Sequence, residues 1–283
     1  MQREKVKTLI LSYIVFHLAL FANAQRLDVV SFNGSENSGF ASSYILTCGR
    51  QSIVVDPPMS VNDVKRLADT IKRFNRNIVA IFITDAYPDH FLGISETKKL
   101  FPHARVLATH DVALDISRYG MELYDELNIR QVHDVIPRIV LPDSIVENFL
   151  SLENCRIELH SFHIKDQITT TVLYDPIGKF LFTSDIVYNK VHPISMDKKP
   201  GEWLKELDSL KRFSTYILYP GHGLPTTYSG IDDFKNYINT FQQAAKTRDP
   251  IAFYDIMVYY FQDYLKPANL KFYIDRYAGF KHP

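Results

Sequence analysis

The segment from Ile81 to Gly93 constrains the fold of this chain more than any other, because an apolar run changes abruptly into a polar cluster. The run Ile81-Phe82-Ile83 is followed by four side chains able to bind a metal or transfer a proton: Asp85, Tyr87, Asp89 and His90. A buried strand that ends in a polar loop is where α/β proteins usually carry their chemistry. The same residues also suit a plain strand-to-helix loop in which Asp89 caps the helix. The rest of the chain decides between these interpretations.

The first 24 residues are typical of a secretory signal peptide. Basic residues at the start precede a mostly apolar run, and Ala22-Asn23-Ala24 matches the small-x-small cleavage pattern. The apolar run, Leu9 to Phe21, is shorter than the ~20 residues that a membrane span requires. The sequence therefore predicts an exported protein, periplasmic or secreted, that begins at Gln25 and is not held in the membrane after cleavage.

Charge and cysteine content narrow the possibilities further. The chain has 32 Lys and Arg residues, 32 Asp and Glu residues and 46% hydrophobic residues, so it can bury a large core and has no net charge. A balanced chain without a basic run predicts no nucleic-acid partner. The two cysteines, Cys48 and Cys155, are distant in sequence and nothing local brings them together. We therefore predict two buried, unpaired thiols.

Strand and helix patterns follow a definite order along the mature chain. Three β-rich runs lie between residues 27 and 55, and Ser60 then caps a helix that extends to about Phe74. Strands and helices alternate from Ile78 to Ile116, with a further helix at 121–127 and a strand at 138–141. Consecutive strands follow from Ser144 to Asp185, and helices dominate the remainder. This order suits two sheets packed together with helices outside. We predict one domain over 25–248 and a helical extension over 249–283 that packs on it.

Polar side chains end three further strand patterns. Asp185 follows the apolar run 180–184, and His222 lies in a glycine loop after the strand at 216–218. His160 and His163 end the strand that begins at Arg156. One histidine in such a place is usually structural, but four strand ends of this kind in one chain indicate a shared site.

These motifs resemble those of the metallo-β-lactamase fold superfamily. The segment Thr84-Asp85-Ala86-Tyr87-Pro88-Asp89-His90 is in register with the family's T-H-x-H-x-D-H loop. Phe182-Thr183-Ser184-Asp185 resembles its bridging-aspartate strand, and Pro220-Gly221-His222-Gly223 resembles its last histidine loop. Val54-Val55-Asp56-Pro57 is similar to an early strand whose aspartate supports the site from behind. The resemblance covers the mature chain and implies an αββα sandwich of two mixed sheets.

The chain departs from the family pattern in the first half of its main motif. Asp85 and Tyr87 stand where the family has histidines, and the G-H-T element is also altered. We assign the histidine of that element to His163 rather than His160, because His163 lies nearer the loop. The resemblance therefore implies an altered first metal position at Asp85, Tyr87 and His163. It implies an intact second position at Asp89, His90, Asp185 and His222.

The donor atoms indicate the metal and the reaction. Imidazole suits Zn²⁺, whereas a carboxylate at Asp85 shifts the preference towards Mn²⁺ or iron. Tyr87 would have to lose a proton with a pKa near ~10 to bind a metal, which disfavours it as a ligand at neutral pH. We assign Tyr87 and His192 to the substrate pocket, and the alternative for His192 is a plain loop residue.

The resemblance implies a metal-dependent hydrolase with one Zn²⁺ ion and with Asp89 positioning the attacking water. Its small-molecule substrate would carry a lactam, lactone, thioester or ester bond. The alternative is a catalytically impaired protein of the same fold with a binding or structural role, since two substitutions in the motif also suit a decayed site.

Overall fold

The computed structural model of the protein describes residues 25–129, 134–165, 168–194 and 200–277. The predicted signal peptide, residues 1–24, lies outside the described residues, as does the end of the predicted extension at 278–283. Within the described ranges, no helix is both long and apolar enough to cross a bilayer.

Two mixed sheets form the centre of the described structure. The strands of the first are β1 (Asp28–Asn33), β2 (Ser42–Cys48), β3 (Gln51–Val55), β4 (Ile78–Phe82), β5 (Arg105–Ala108) and β6 (Ser144–Ile145), adjacent in that order. The strands of the second are β7 (Phe149–Leu152), β8 (Cys155–Lys165), β9 (Ile168–Asp175), β10 (Phe180–Asn189) and β11 (Ile217–Gly223), adjacent in the order β11-β10-β9-β8-β7. Each sheet contains both parallel and antiparallel pairs.

Helices cover the outer faces of both sheets. They are α1 (Val61–Arg73), α2 (Pro88–Phe91), α3 (Ile94–Leu100), α4 (His110–Ile129), α5 (Pro200–Ser209), α6 (Ser229–Ala245), α7 (Pro250–Tyr260) and α8 (Ala268–Tyr277). Leu67 of α1 packs with Ile81 on the first sheet, and Trp203 of α5 packs with Leu181 on the second. A third apolar cluster, including Phe82 and Phe182, fills the space between the sheets. The layers are therefore helix, sheet, sheet, helix, and the predicted αββα sandwich is confirmed.

The C-terminal helices belong to the apolar layer outside the second sheet. Phe253 and Met257 of α7 and Leu270 of α8 are buried there. The side chain of Asp249 caps α7 by accepting hydrogen bonds from the amides of Ile251 and Ala252. These contacts attach residues 249–277 to the same core as α5 and α6.

Three local predictions differ from the structure. Residues 138–141 are not a strand; the edge strand instead begins at Ser144, which pairs with Leu107 of β5. The two predicted helices at 112–116 and 121–127 are one helix, α4, which continues through Gly120. His222 lies inside β11 rather than in a loop after it, because parallel pairing with Tyr188 of β10 extends the strand. Tertiary pairing overrides the local turn signal in this last case.

Cys48 and Cys155 form a disulfide, so the prediction of unpaired thiols is wrong. Cys48 ends β2 of the first sheet and Cys155 begins β8 of the second, which makes the bond a link between the sheets. Their Cα atoms lie 6.0 Å apart although 107 residues separate them in sequence. The pairing depends on how the two sheets stack, and the sequence around each cysteine does not predict that stacking.

Candidate metal centre

His90 lies in α2, just after β4, and is completely buried between carboxyl groups. Its Nε2 is 3.0 Å from Oδ1 of Asp185, and its Nδ1 is 3.0 Å from Oδ2 of Asp56. Burial alone lowers the pKa of His90, but the carboxylates of Asp85, Asp185 and Asp56 together raise this pKa well above its usual value. The surroundings of this imidazole therefore favour positive charge.

His222 of β11 presents the second imidazole of the site. Its Nδ1 is 2.9 Å from the carbonyl oxygen of Gly39, which only accepts, so Nδ1 carries the hydrogen. Its buried Nε2 has no hydrogen-bond partner, although it lies 3.1 Å from Oδ1 of Asp185 and 3.4 Å from Oδ2 of Asp89. A buried ring nitrogen that faces two carboxylates needs a positive charge beside it, which a bound cation supplies. The residues present therefore fit a metal ion, with the outer nitrogen of each histidine held by an oxygen acceptor.

The two oxygens of Asp185 have different surroundings. Oδ1 faces the Nε2 atoms of His90 and His222, whereas Oδ2 accepts a hydrogen bond of 2.7 Å from the hydroxyl of Tyr188. The ring of Tyr188 also stacks on the imidazole of His222, with centroids 4.5 Å apart and planes 4° from parallel. Burial and the carboxylate of Asp185 raise the pKa of Tyr188 well above its usual value, which keeps the hydroxyl a donor. Sequence reasoning missed Tyr188, because an aromatic residue three positions after Asp185 on a buried strand looks like ordinary core.

Two overlapping groups of side chains could hold a metal ion among the described residues. One is Asp89, His90 and His222, and the other is Asp85, His90 and Asp185; within each group the ligand atoms lie within 4.8 Å of one another. The side chain of Asp89 is 21% exposed, compared with 3% for Asp185 and 5% for His222. Solvent therefore reaches the site at Asp89.

Asp85 is fully buried in a chain of hydrogen bonds. Its Oδ1 accepts from the amide of Tyr87, and its Oδ2 is 2.9 Å from Oγ of Ser184. Oγ of Ser184 also lies 2.6 Å from Oγ1 of Thr84, and Oγ1 of Thr84 donates to Oδ2 of Asp56 at 2.5 Å. Burial, with smaller contributions from Asp185 and Asp56, raises the pKa of Asp85 to about 7 against the lowering effect of His90.

Three predicted site residues, Tyr87, His163 and His192, belong to neither group of possible metal ligands. Tyr87 is half-buried and packs against the apolar cluster outside the first sheet. His163 is exposed on β8, opposite Thr169, and belongs to neither of the two groups.

His192 is buried beneath the C-terminal helices rather than placed along a pocket. Its Nδ1 is 2.8 Å from the hydroxyl of Tyr237, and its carbonyl oxygen accepts from the side chain of Asn269. Burial lowers the pKa of His192 to about 4. The chain after β10 passes beneath α6, which leaves this side chain only 1% exposed.

Gly39 supports the site through its backbone, which has the left-handed φ of +64°. A Cβ atom there would lie 3.1 Å from Oδ2 of Asp89 and 3.7 Å from Cε1 of His222. We expect Gly39→Ala to weaken Zn²⁺ binding about tenfold, because it strains the turn and crowds the carboxylate of Asp89. Calorimetric titration of the metal-free protein with Zn²⁺ measures this. Gly201→Ala is the matched control, since its Cβ meets nothing within 4 Å. Equal affinity of Gly39→Ala and Gly201→Ala would contradict the expectation.

Comparison with known proteins identifies the family of this chain. The profile of the metallo-beta-lactamase superfamily matches residues 37–222, and the chain belongs to that superfamily. No curated protein matches the sequence.

Solved structures share the fold at low sequence identity. A metallo-beta-lactamase from Pontibacter korlensis has a TM-score of 0.56 at 12% identity, over 76% of this chain and 99% of that one. The FIM-1 enzyme from Pseudomonas aeruginosa, in its mono-zinc form, has a TM-score of 0.53 at 14% identity, over 75% of this chain and 90% of that one. A metallo-beta-lactamase from Hirschia baltica has a TM-score of 0.51 at 18% identity, over 75% and 93%.

Proposed function

We propose that this protein is a metal-dependent hydrolase that uses a single ion, with Zn²⁺ favoured and Mn²⁺ or iron as alternatives. The proposed ligands are Asp89, His90, Asp185 and His222. The observation that carries the proposal is the convergence of two imidazole Nε2 atoms on Oδ1 of Asp185, at 3.0 and 3.1 Å. The buried Nε2 of His222 has no hydrogen-bond partner of its own, as a metal ligand requires.

The side chains divide the work of such a reaction. A bound divalent ion would lower the pKa of a water molecule and polarise a carbonyl group. Asp89 is the solvent-facing carboxylate of the set, so it would position the water and accept its proton. Asp56 would hold the imidazole of His90 through Nδ1, and Gly39 would hold that of His222 in the same way.

The proposed substrate class rests on the resemblance to the metallo-beta-lactamase superfamily. Lactams, lactones, thioesters and small esters all present a carbonyl carbon to a metal-activated water. The mono-zinc form of FIM-1 supports a one-ion site on this fold. The alternative role, binding without turnover, is supported by Asp85 and Tyr87: the first lies within a buried hydrogen-bonded network and the second packs against the core.

The disulfide supports the proposal that the protein is exported to the periplasm or secreted. Disulfides persist in oxidising compartments and are rare in the reducing cytosol. The bond between Cys48 and Cys155 therefore agrees with the signal-peptide pattern at residues 1–24.

Metal content tests the proposed site. We expect about one equivalent of Zn²⁺ in the purified mature protein by elemental analysis, and loss of that ion in His222→Ala, because the variant removes one of four ligands. His103→Ala, at an exposed histidine, is the matched control and should retain the ion. Wild-type protein that is metal-free and does not take up added Zn²⁺ or Mn²⁺ would refute the site.

Turnover distinguishes the enzyme from the binding protein. The metal-loaded wild type is assayed against chromogenic lactams, lactones, thioesters and esters, with His222→Ala as the background rate. Hydrolysis of one class well above that background supports the hydrolase. A fully loaded protein that hydrolyses none of the four supports the binding role.

A further inference from the structure

The metal ligands Asp185 and His222 share one neighbour, Tyr188. It lies three residues after Asp185 on β10 and pairs directly with His222 of β11. Its hydroxyl donates to Oδ2 of Asp185 at 2.7 Å, and its ring lies parallel to the imidazole of His222 at 4.5 Å. One side chain thus contacts the carboxylate by a hydrogen bond and the imidazole by its ring face.

The ring of Tyr188 is itself held by a buried aromatic layer. It is 3% exposed and contacts Phe234 of α6 and Trp203 of α5, with centroid distances of 5.6 and 6.1 Å. The indole nitrogen of Trp203 donates to the carbonyl oxygen of Ile186 on the same strand at 2.9 Å. Because close packing restricts the rotamers of a buried ring, we expect this layer to set the position of the hydroxyl.

We infer that Tyr188 is a positioning residue that makes Asp185 a ligand through Oδ1 alone and fixes the plane of the His222 imidazole. The hydroxyl takes one of the two lone pairs of Oδ2 and holds the carboxylate with Oδ1 turned towards the Nε2 atoms of His90 and His222. This orientation favours a metal contact through Oδ1 over one through Oδ2, and the stacked ring holds the plane of the His222 imidazole. This inference rests on the proposed metal site and adds a reason why that site would take one ion.

Tyr188→Phe tests the inference, because it removes the hydroxyl and leaves the ring. The metal-free variant is titrated with Zn²⁺ by calorimetry, and we expect its affinity to fall about tenfold relative to wild type. Substitution with Co²⁺ gives a second reading. Once Oδ2 is released, Asp185 can bind through both oxygens, and the higher coordination number should weaken and shift the visible absorption of the cobalt. Tyr188→Leu also removes the stacking on His222 and should weaken binding further.

Tyr237→Phe is the matched control. It removes another buried tyrosine hydroxyl of the same aromatic layer, one that pairs with His192 and contacts no metal ligand. Both Phe variants are expected to unfold at lower temperature, whereas only Tyr188→Phe should change Zn²⁺ affinity and the Co²⁺ spectrum. Unchanged affinity and spectrum in Tyr188→Phe, with wild type binding metal, would overturn the inference. A wild type that binds no metal would refute the proposed site itself, so the two failures are distinguishable.

Discussion

Replacing Cys48 and Cys155 together by alanine is expected to lower the free energy of unfolding by about 4 kcal/mol, because a disulfide that closes a loop of roughly a hundred residues strongly restricts the unfolded chain. The bond spans 107 residues and joins the two sheets, so its loss also releases a contact between the layers. Urea denaturation of the metal-free proteins, monitored by circular dichroism, measures the difference.

Reduction of the wild type distinguishes the effect of losing the disulfide bond from the effect of losing the two sulfur atoms. Both cysteines are buried, so alanine also removes some packing. Wild-type protein in excess dithiothreitol keeps the two sulfurs and should lose most of the same stability. If the reduced wild type and the double variant were both as stable as the oxidised protein, the expected contribution of the bond would be refuted.

Asp56→Ala should have an effect of similar size on stability and an additional effect on metal binding. Asp56 accepts from both the amide and the hydroxyl of Thr84, and its Oδ2 contacts Nδ1 of His90. All of these groups are buried, so removal of the carboxylate leaves them without their acceptor. Breaking one partner of a buried charged network costs about 3–5 kcal/mol. Loss of the group that orients a ligand histidine weakens metal affinity by about 10- to 100-fold.

Asp69→Ala is a suitable control, since this aspartate lies on the exposed face of α1 with 73% of its side chain accessible. It should change neither the urea midpoint nor the Zn²⁺ titration appreciably. Asp56→Asn adds a finer comparison, because the amide oxygen still accepts from Thr84 but carries no charge for His90. Wild-type metal affinity in Asp56→Ala would show that Asp56 plays no part in orienting His90.

The sequence offered signals for the proposed ligands but not for the contacts that hold them. Polar side chains after apolar runs indicated Asp89, His90, Asp185 and His222 as candidates, and the resemblance to the family motifs implied that they are one ligand set. The structure brings all four together, since α2, which carries Asp89 and His90, lies next to Asp185 on β10 and His222 on β11.

The supporting contacts had no comparable signal. The carbonyl of Gly39 and the imidazole of His222 are 183 residues apart, and a backbone acceptor has no signature in sequence. The disulfide depends on the stacking of two sheets in the same way. His192 shows the opposite error: its nearness to Asp185 in sequence suggested a shared pocket, but the chain turns beneath α6 and buries it. Position along the chain is thus a poor guide once a strand has ended.

Strand β2 connects the candidate metal centre with the disulfide. Ala41, just before its first residue, bridges to His222, whereas Cys48 at its last residue is bonded to the second sheet. A strand of seven residues places these two points about 20 Å apart. An ion bound by ligands from both sheets would therefore clamp the sandwich at one end while the disulfide clamps it at the other. Without the ion, the two sheets of the oxidised protein could separate only at the end that carries the metal ligands. The disulfide would therefore keep the ligands of the two sheets near each other before an ion binds.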